Sequence, residues 1–292
     1  MKTIKPLVAL ASGFASLIAV NQASAETAAP PQAEARPIAV VYSDQGPSGM
    51  SDVAMGAYRV PDSNLIISGY QKGGAVGLLF GPIGLIAQSA VNSGAAKGSV
   101  SNTGDALRID IAQQAVKATQ AALTSDRYAQ NFTATADPRG PTLTVVPYVV
   151  ITFKTDTDVR PYVFLKARLN TGRPGDASRS TRYICCVGQA FPLTGEAGLT
   201  ANGGEPFRKL VEQELETAVK LMLDDVASPY VRDKAKMTHI EAAFPFGRTK
   251  LKLKGYILSE DQDSVIVDLP GIFVFTGVEI MDKSAISYTT GK

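Results

Sequence analysis

The spacing of apolar positions divides this chain into strand-like and helix-like runs. Pro37 to Ser43 (PIAVVYS) is a continuous apolar run that suits a strand covered on both faces, and Asp62 to Tyr70 gives a second short extended segment. Between Gly104 and Leu123 the period changes to that of a helix. Leu107, Ile111, Ala115, Ala118 and Ala122 share one face, and Ile109, Val116 and Leu123 form a second. Only Asp110, Gln113, Gln114, Lys117 and Gln120 make a polar stripe, so this helix is expected to touch more than one neighbour.

Thr142 to Phe153 and Val159 to Leu169 are β-rich runs around the polar tetrad Thr155-Asp156-Thr157-Asp158, the pattern of a hairpin. Pro147 lacks an N–H and marks an edge or a bulge in the first of them. Tyr183 to Ala190 follows as a third strand. A second helix opens at Asn202-Gly203-Gly204-Glu205-Pro206, since proline suits a first turn, and runs to Ser228-Pro229. Phe207, Leu210, Val211, Leu215, Ala218, Met222 and Val226 form its core face, and Lys209, Glu212, Gln213, Glu216 and Lys220 face water. From about Met237 the chain breaks into short apolar runs at 249–258, 264–269, 272–281 and 285–288, with Glu260 to Asp263 as a hairpin loop. The expected class is α+β: a mixed or antiparallel sheet with two packed helices, a Gly-rich apolar helical segment and a C-terminal β-rich extension.

That Gly-rich segment, 73–98, is almost free of charge between Lys72 and Lys97. Gly73, Gly77 and Gly81 repeat every four residues and would line one helix face, which permits close backbone approach and resembles the packing pattern of helices in lipid. Pro82 and the many glycines weaken it as a single span. The segment therefore reads first as a helical hairpin or loop buried against the helix at 104–123. An apolar surface that seeks a membrane or partner through Gly73, Gly77, Leu78, Leu79, Phe80, Gly81 and Ile83 is the other reading.

The N-terminus changes the picture by setting a compartment. Lys2 and Lys5, the apolar core Leu7 to Val20 and the small-residue triplet Ala23-Ser24-Ala25 have the anatomy of a secretory signal peptide over 1–25. Residues 26–36 (ETAAPPQAEAR) read as a flexible leader, 37–235 as an α/β domain containing 73–98, and 236–292 as a C-terminal β-rich subdomain or sheet extension. The signal carries two lysines and no acid, so the 29 basic and 27 acidic residues become 27 of each after it. A neutral exported chain is a poor nucleic-acid binder.

Candidate chemistry is sparse. Cys185 and Cys186 are adjacent, too close for an unstrained internal bridge. On a strand one is expected in the core and the other partly exposed, and an oxidising compartment makes an intermolecular disulfide through Cys185 or Cys186 the sharper alternative. His239 is the only histidine, with no nucleophile motif around it. Asp156 with Asp158, and Asp261 with Asp263, sit at hairpin tips, where acids favour the turn, and neither continues as a calcium loop. No glycine cluster has the spacing of a phosphate loop. Arg248, Lys250, Lys252 and Lys254 alternate with apolar residues, which places four cations on one strand face. They read as edge lysines that block aggregation or as a contact with anionic headgroups or an acidic partner.

These features lead to one expectation: an exported, non-catalytic cell-envelope protein, a periplasmic binding or assembly module associating with a membrane through the Gly-rich segment. No cofactor, metal or nucleic acid is expected. The partners are a membrane surface, an envelope protein or a second copy of the chain. A secreted hydrolase with a site assembled from scattered residues is the alternative.

Overall fold

The structure is a computed structural model that describes residues 36–69, 93–98, 100, 103–137, 140–173, 175–271 and 274–289. The expected signal peptide, most of the leader, and Gly73, Gly77, Leu78, Leu79, Phe80, Gly81 and Ile83 lie outside the described residues. Residues 93–98, at the end of the Gly-rich segment, are helical, and Ala96 is fully buried in a core shared with Val100, Ile111 and Ala115.

The chain forms a mixed α/β fold around one large mixed sheet with few helices. Its strands are β1 (Ile38–Tyr42), β2 (Tyr58–Arg59), β3 (Leu65–Ser68), β4 (Phe132–Thr133), β5 (Thr142–Phe153), β6 (Asp158–Asn170), β7 (Arg179–Cys186), β8 (Phe191–Pro192), β9 (Met237–Ala242), β10 (Leu251–Glu260), β11 (Ser264–Asp268), β12 (Val278–Asp282) and β13 (Ile286–Tyr288). The strand order is β13-β9-β10-β11-β12-β7-β6-β5-β1-β4. The meander β5-β6-β7 is antiparallel, whereas β1 lies parallel to β5 and β12 parallel to β7.

One side of β5 is shared: β1 pairs with Thr142–Val145, and β3 with Val149–Thr152. Pro147 falls in the gap between those two registers. Val145 and Val149 bond toward that side through Ser43 N and Asn64 O, so the N–H that Pro147 lacks would have pointed into the gap. The Asn64 side chain fills it by donating to the Pro147 carbonyl at 2.9 Å. A proline is thus held inside a sheet at a locally open edge.

Two longer helices, α1 (Ile111–Leu123) and α2 (Ala201–Ala227), pack against each other on one face of the sheet, α1 on β5 and α2 on β6 and β7. The helix expected from Gly104 starts at Ile111, because Asp110 accepts from Gln113 N at 2.9 Å and caps it there. Leu107 still reaches the core from the turns before it. Within α2, Asn202, Gly203 and Gly204 have φ of 49, 66 and 88°, so the right-handed helix proper begins at Glu205-Pro206. A Cβ on Gly204 would collide with the Ala106 carbonyl, which fixes glycine at this crossing.

The other face closes on itself. From β6 to β9 there are five strand spacings, about 24 Å in a flat sheet. Yet Tyr162 on β6 donates to the carbonyl of Ala243, one residue past β9, at 2.9 Å. Phe246 N donates to Thr152 on β5 at 3.1 Å, and the Phe246 ring lies edge-on to Phe164 at 6.1 Å. The C-terminal strands therefore roll over β5–β7 and enclose a second core of Tyr148, Tyr162, Phe164, Ile184, Phe244 and Val267. β9 to β13 join the main sheet and are not a separate one. Among the described residues, no helix is long and apolar enough to cross a membrane.

Candidate functional site: a cationic groove at one end of the roll

On the inner face of β6, the positions Tyr162 and Phe164 are followed by Lys166, and on β7 Ile184 is preceded by Arg182. Lys166 and Arg182 are direct cross-strand partners, so the apolar lining ends in two adjacent cations. Like charges opposite each other repel, and Asp52 resolves this. Its carboxylate is 2 % exposed and accepts from Lys166 Nζ at 2.7 and 2.9 Å, with Arg182 Nη2 3.9 Å away. Asp52 also accepts from Ser48 N at 3.1 Å, which ties the Ser48–Asp52 turn to the sheet.

Arg182 is further held by backbone. Its Nη2 donates to the Ser51 carbonyl at 2.6 Å and its Nη1 to the Thr276 carbonyl at 3.4 Å, and its guanidinium also reaches the buried Tyr148 hydroxyl. The approach of the 276–277 backbone depends on Gly277, where a Cβ would strike the Arg182 carbonyl. Arg232, in the segment after α2, donates to Asp268 at 2.5 Å and to the Tyr230 carbonyl at 2.9 Å, with Asp225 at 3.5 Å. Burial pulls the Arg232 pKa down, but its bonds to Asp268 and Asp225 outweigh this and leave it raised. Arg179, at the start of β7, is exposed and takes part in none of the ion pairs among the described residues. The four cations line an open cavity of about 420 Å³, with Asp268 as the one acid among the described residues of its wall. A neighbouring cleft of about 40 Å³ between Leu143, Tyr183 and Val226 is too small for more than a solvent molecule or two.

A second polar cluster lies inside the roll. Arg160 donates to the Cys186 carbonyl, and Cys186 Sγ lies 3.4 Å from Glu279 Oε2. Burial pushes the Glu279 carboxyl well up, and likewise that of Glu214 on α2 across the sheet, and each keeps one oxygen without a partner among the described residues. Burial also pushes both thiols up, Cys185 with help from Glu214 and Cys186 with help from Glu279. A protonated, enclosed thiol is a poor nucleophile. Among the described residues no group of His, Cys, Asp and Glu could hold a metal ion.

Both cysteines are free and buried, where strand alternation led us to expect one exposed. The reason is the roll: the helices cover the Cys185 face and the second core covers the Cys186 face. An intermolecular bridge would need that cover to open.

The basic stripe is split. Lys250, Lys252 and Lys254 are exposed, with Lys252 opposite Glu241 and Lys254 opposite His239 on β9. Arg248 instead donates to the Gly69 carbonyl at 2.6 Å and to Asp156 at 2.8 Å, at the tip of the β5–β6 hairpin. β11 pairs with β10 only from Tyr256 to Glu260, so Lys252 and Lys254 lie on a stretch of β10 bonded to β9 alone, a locally open edge where lysines oppose edge-to-edge pairing. His239 sits exposed on β9, a strand that the apolar spacing did not reveal.

Sequence reasoning missed Lys166, Arg179, Arg182 and Arg232. A signal was present for two of them, since Lys166 and Arg182 interrupt otherwise apolar alternation. Their convergence with Arg232, more than 40 residues away, was not visible. No family model and no curated protein matches the chain.

Proposed function

We propose that this chain is an exported, non-catalytic binding module of the cell envelope, periplasmic or membrane-associated, and that the groove lined by Lys166, Arg179, Arg182 and Arg232 receives an anionic partner. The observation that carries the reading is the way these cations are held. Asp52, Asp225, Asp268 and backbone carbonyls grip Lys166, Arg182 and Arg232 from within the protein, so little freedom of these three side chains remains to be lost on binding, and Arg179 stands exposed beside them. A rigid cationic opening is built to hold a ligand. The secretory pattern of residues 1–25 supports placement outside the cytoplasm. The Gly-rich segment around Gly73, Gly77 and Gly81 is the proposed membrane attachment, and a second copy of the chain or an envelope protein is the proposed partner.

Cell fractionation tests this. The protein is expected in the envelope fractions and in shortened form, and deletion of residues 73–92, which spares the buried Ala96, should shift it from membrane to soluble periplasm while it stays folded. Retention of the uncleaved chain in the cytoplasm would overturn the reading.

A further inference from the structure

We infer that the groove is a phosphate site: its ligand is a phosphate ester, bound through Arg179, Arg182, Arg232 and Lys166. This deepens the proposed binding role and rests on it for biological meaning, but it is argued from the groove alone.

The four cations come from three separate parts of the chain. Lys166 is on β6, Arg179 and Arg182 on β7, and Arg232 follows α2, yet all line one opening. Three of the four are guanidinium groups, whose forked donors match phosphate oxygens. Their donors are not used up. Arg232 directs three bonds from its five N–H donors to Asp268, Tyr230 and Asp225, and the side chains of Lys166, Arg182 and Arg232 remain partly exposed beside their carboxylate partners. Arg179 projects as an exposed cation without a carboxylate partner. A carboxylate offers two acceptor oxygens; a phosphate monoester offers three, spread tetrahedrally, and suits cations arriving from several directions better. The wall is also short of steric bulk, because Gly271 and Gly277 expose backbone to the opening.

The rim bears on where the phosphate comes from. Met50, next to the Ser51 carbonyl that holds Arg182, is 74 % exposed, and Val231, next to Arg232, is 84 % exposed. Apolar side chains beside a phosphate site would meet the acyl region if the ester is a lipid headgroup, and would stay in water if it is a soluble phosphate.

The test uses the purified chain in three arms. Calorimetric titration with inorganic phosphate and with glycerol 3-phosphate measures the site directly, and sedimentation with phosphatidylglycerol or phosphatidylcholine vesicles asks whether a lipid supplies it. Binding of phosphate by the wild type, weakened about ten-fold or more in Arg179→Gln with an unchanged melting temperature, is the expected result. The loop variant Arg173→Gln should bind like the wild type. Sedimentation with phosphatidylglycerol but not phosphatidylcholine, lost in Arg179→Gln and competed by glycerol 3-phosphate, assigns the lipid source. Phosphate binding without vesicle binding assigns a soluble ester. No phosphate binding by the wild type, or equal binding by Arg179→Gln and Arg179→Glu, overturns the inference. Because these measurements use purified protein, they fail or succeed independently of where fractionation places the chain.

Discussion

At the end of β5, the Lys154 ammonium donates to the carbonyls of Phe244 at 3.1 Å and Gly247 at 2.7 Å, and lies 5.1 Å from the Tyr162 ring. It thereby clasps the segment that follows β9. Burial, then the charge of Arg160, pushes its pKa down to about 7 from an ordinary 10.5, with Cys186 opposing. A lysine whose folded pKa is lowered binds its proton more weakly in the native state than in the unfolded chain. Its contribution is therefore flat below about pH 7 and increasingly favourable as pH rises above it, by at most about 1.4 kcal/mol per pH unit. The buried thiols act in the opposite sense. Their folded pKa values are raised, so stability is lost once pH passes the ordinary thiol range. Wild-type protein should accordingly gain stability from pH 7 to about 8.5 relative to Lys154→Met, whatever constant offset the lost hydrogen bonds produce. Denaturant midpoints of both proteins across that range measure the difference, and parallel curves would show that Lys154 does not titrate there. Nothing in the sequence singled out Lys154. It stands at a strand end before a polar loop, and only the roll brings the Phe244 and Gly247 carbonyls to it.

Among the elements, the strongly periodic ones were legible and the polar ones were not. The core face of α2 and the turn at Asn202–Pro206 could be read directly, because heptad-like spacing and a glycine–proline start signal reinforce each other. β9 escaped, since only Ile240 and Ala242 of MTHIEA are buried and His239, Glu241 and Met237 face water. The entry to α2 also carries a prediction that distinguishes two glycines. Gly203 has φ of 66° with open space around it, so Gly203→Ala meets only the left-handed backbone penalty of about 1–2 kcal/mol. Gly204 has φ of 88° and also abuts the Ala106 carbonyl. Gly204→Ala should cost more than Gly203→Ala, beyond about 2 kcal/mol, because either the turn or the backbone at 106 must move. Thermal or urea unfolding of the two variants side by side checks the order.

Across the whole molecule, the question left open by the sequence was whether the last 57 residues, 236–292, form a subdomain or extend the sheet. Local pattern gives strands but not partners, and the joining contact is the parallel pairing of Val278–Met281 with Tyr183–Cys186, almost 100 residues apart. The groove was hidden for the same reason, since Asp268 and Thr276 reach Arg232 and Arg182 only through that pairing. The roll makes the two regions energetically inseparable. Tyr148, Tyr162 and Phe164 are fully buried within it. If each buries about 150–250 Å² at about 25 cal/mol per Å², their cover supplies about 11–19 kcal/mol as an upper bound. That equals or exceeds the about 5–15 kcal/mol net stability of a typical domain. Loss of β12 would also leave β7 as an open edge. A chain ending at Lys236 should thus lose near-ultraviolet circular dichroism and cooperative unfolding, and should aggregate, even though α1, α2 and β5–β7 are all present. A truncated chain that unfolds in one sharp transition with native near-ultraviolet signal would mean that the first 236 residues build their own core, and that the C-terminal strands are an added layer.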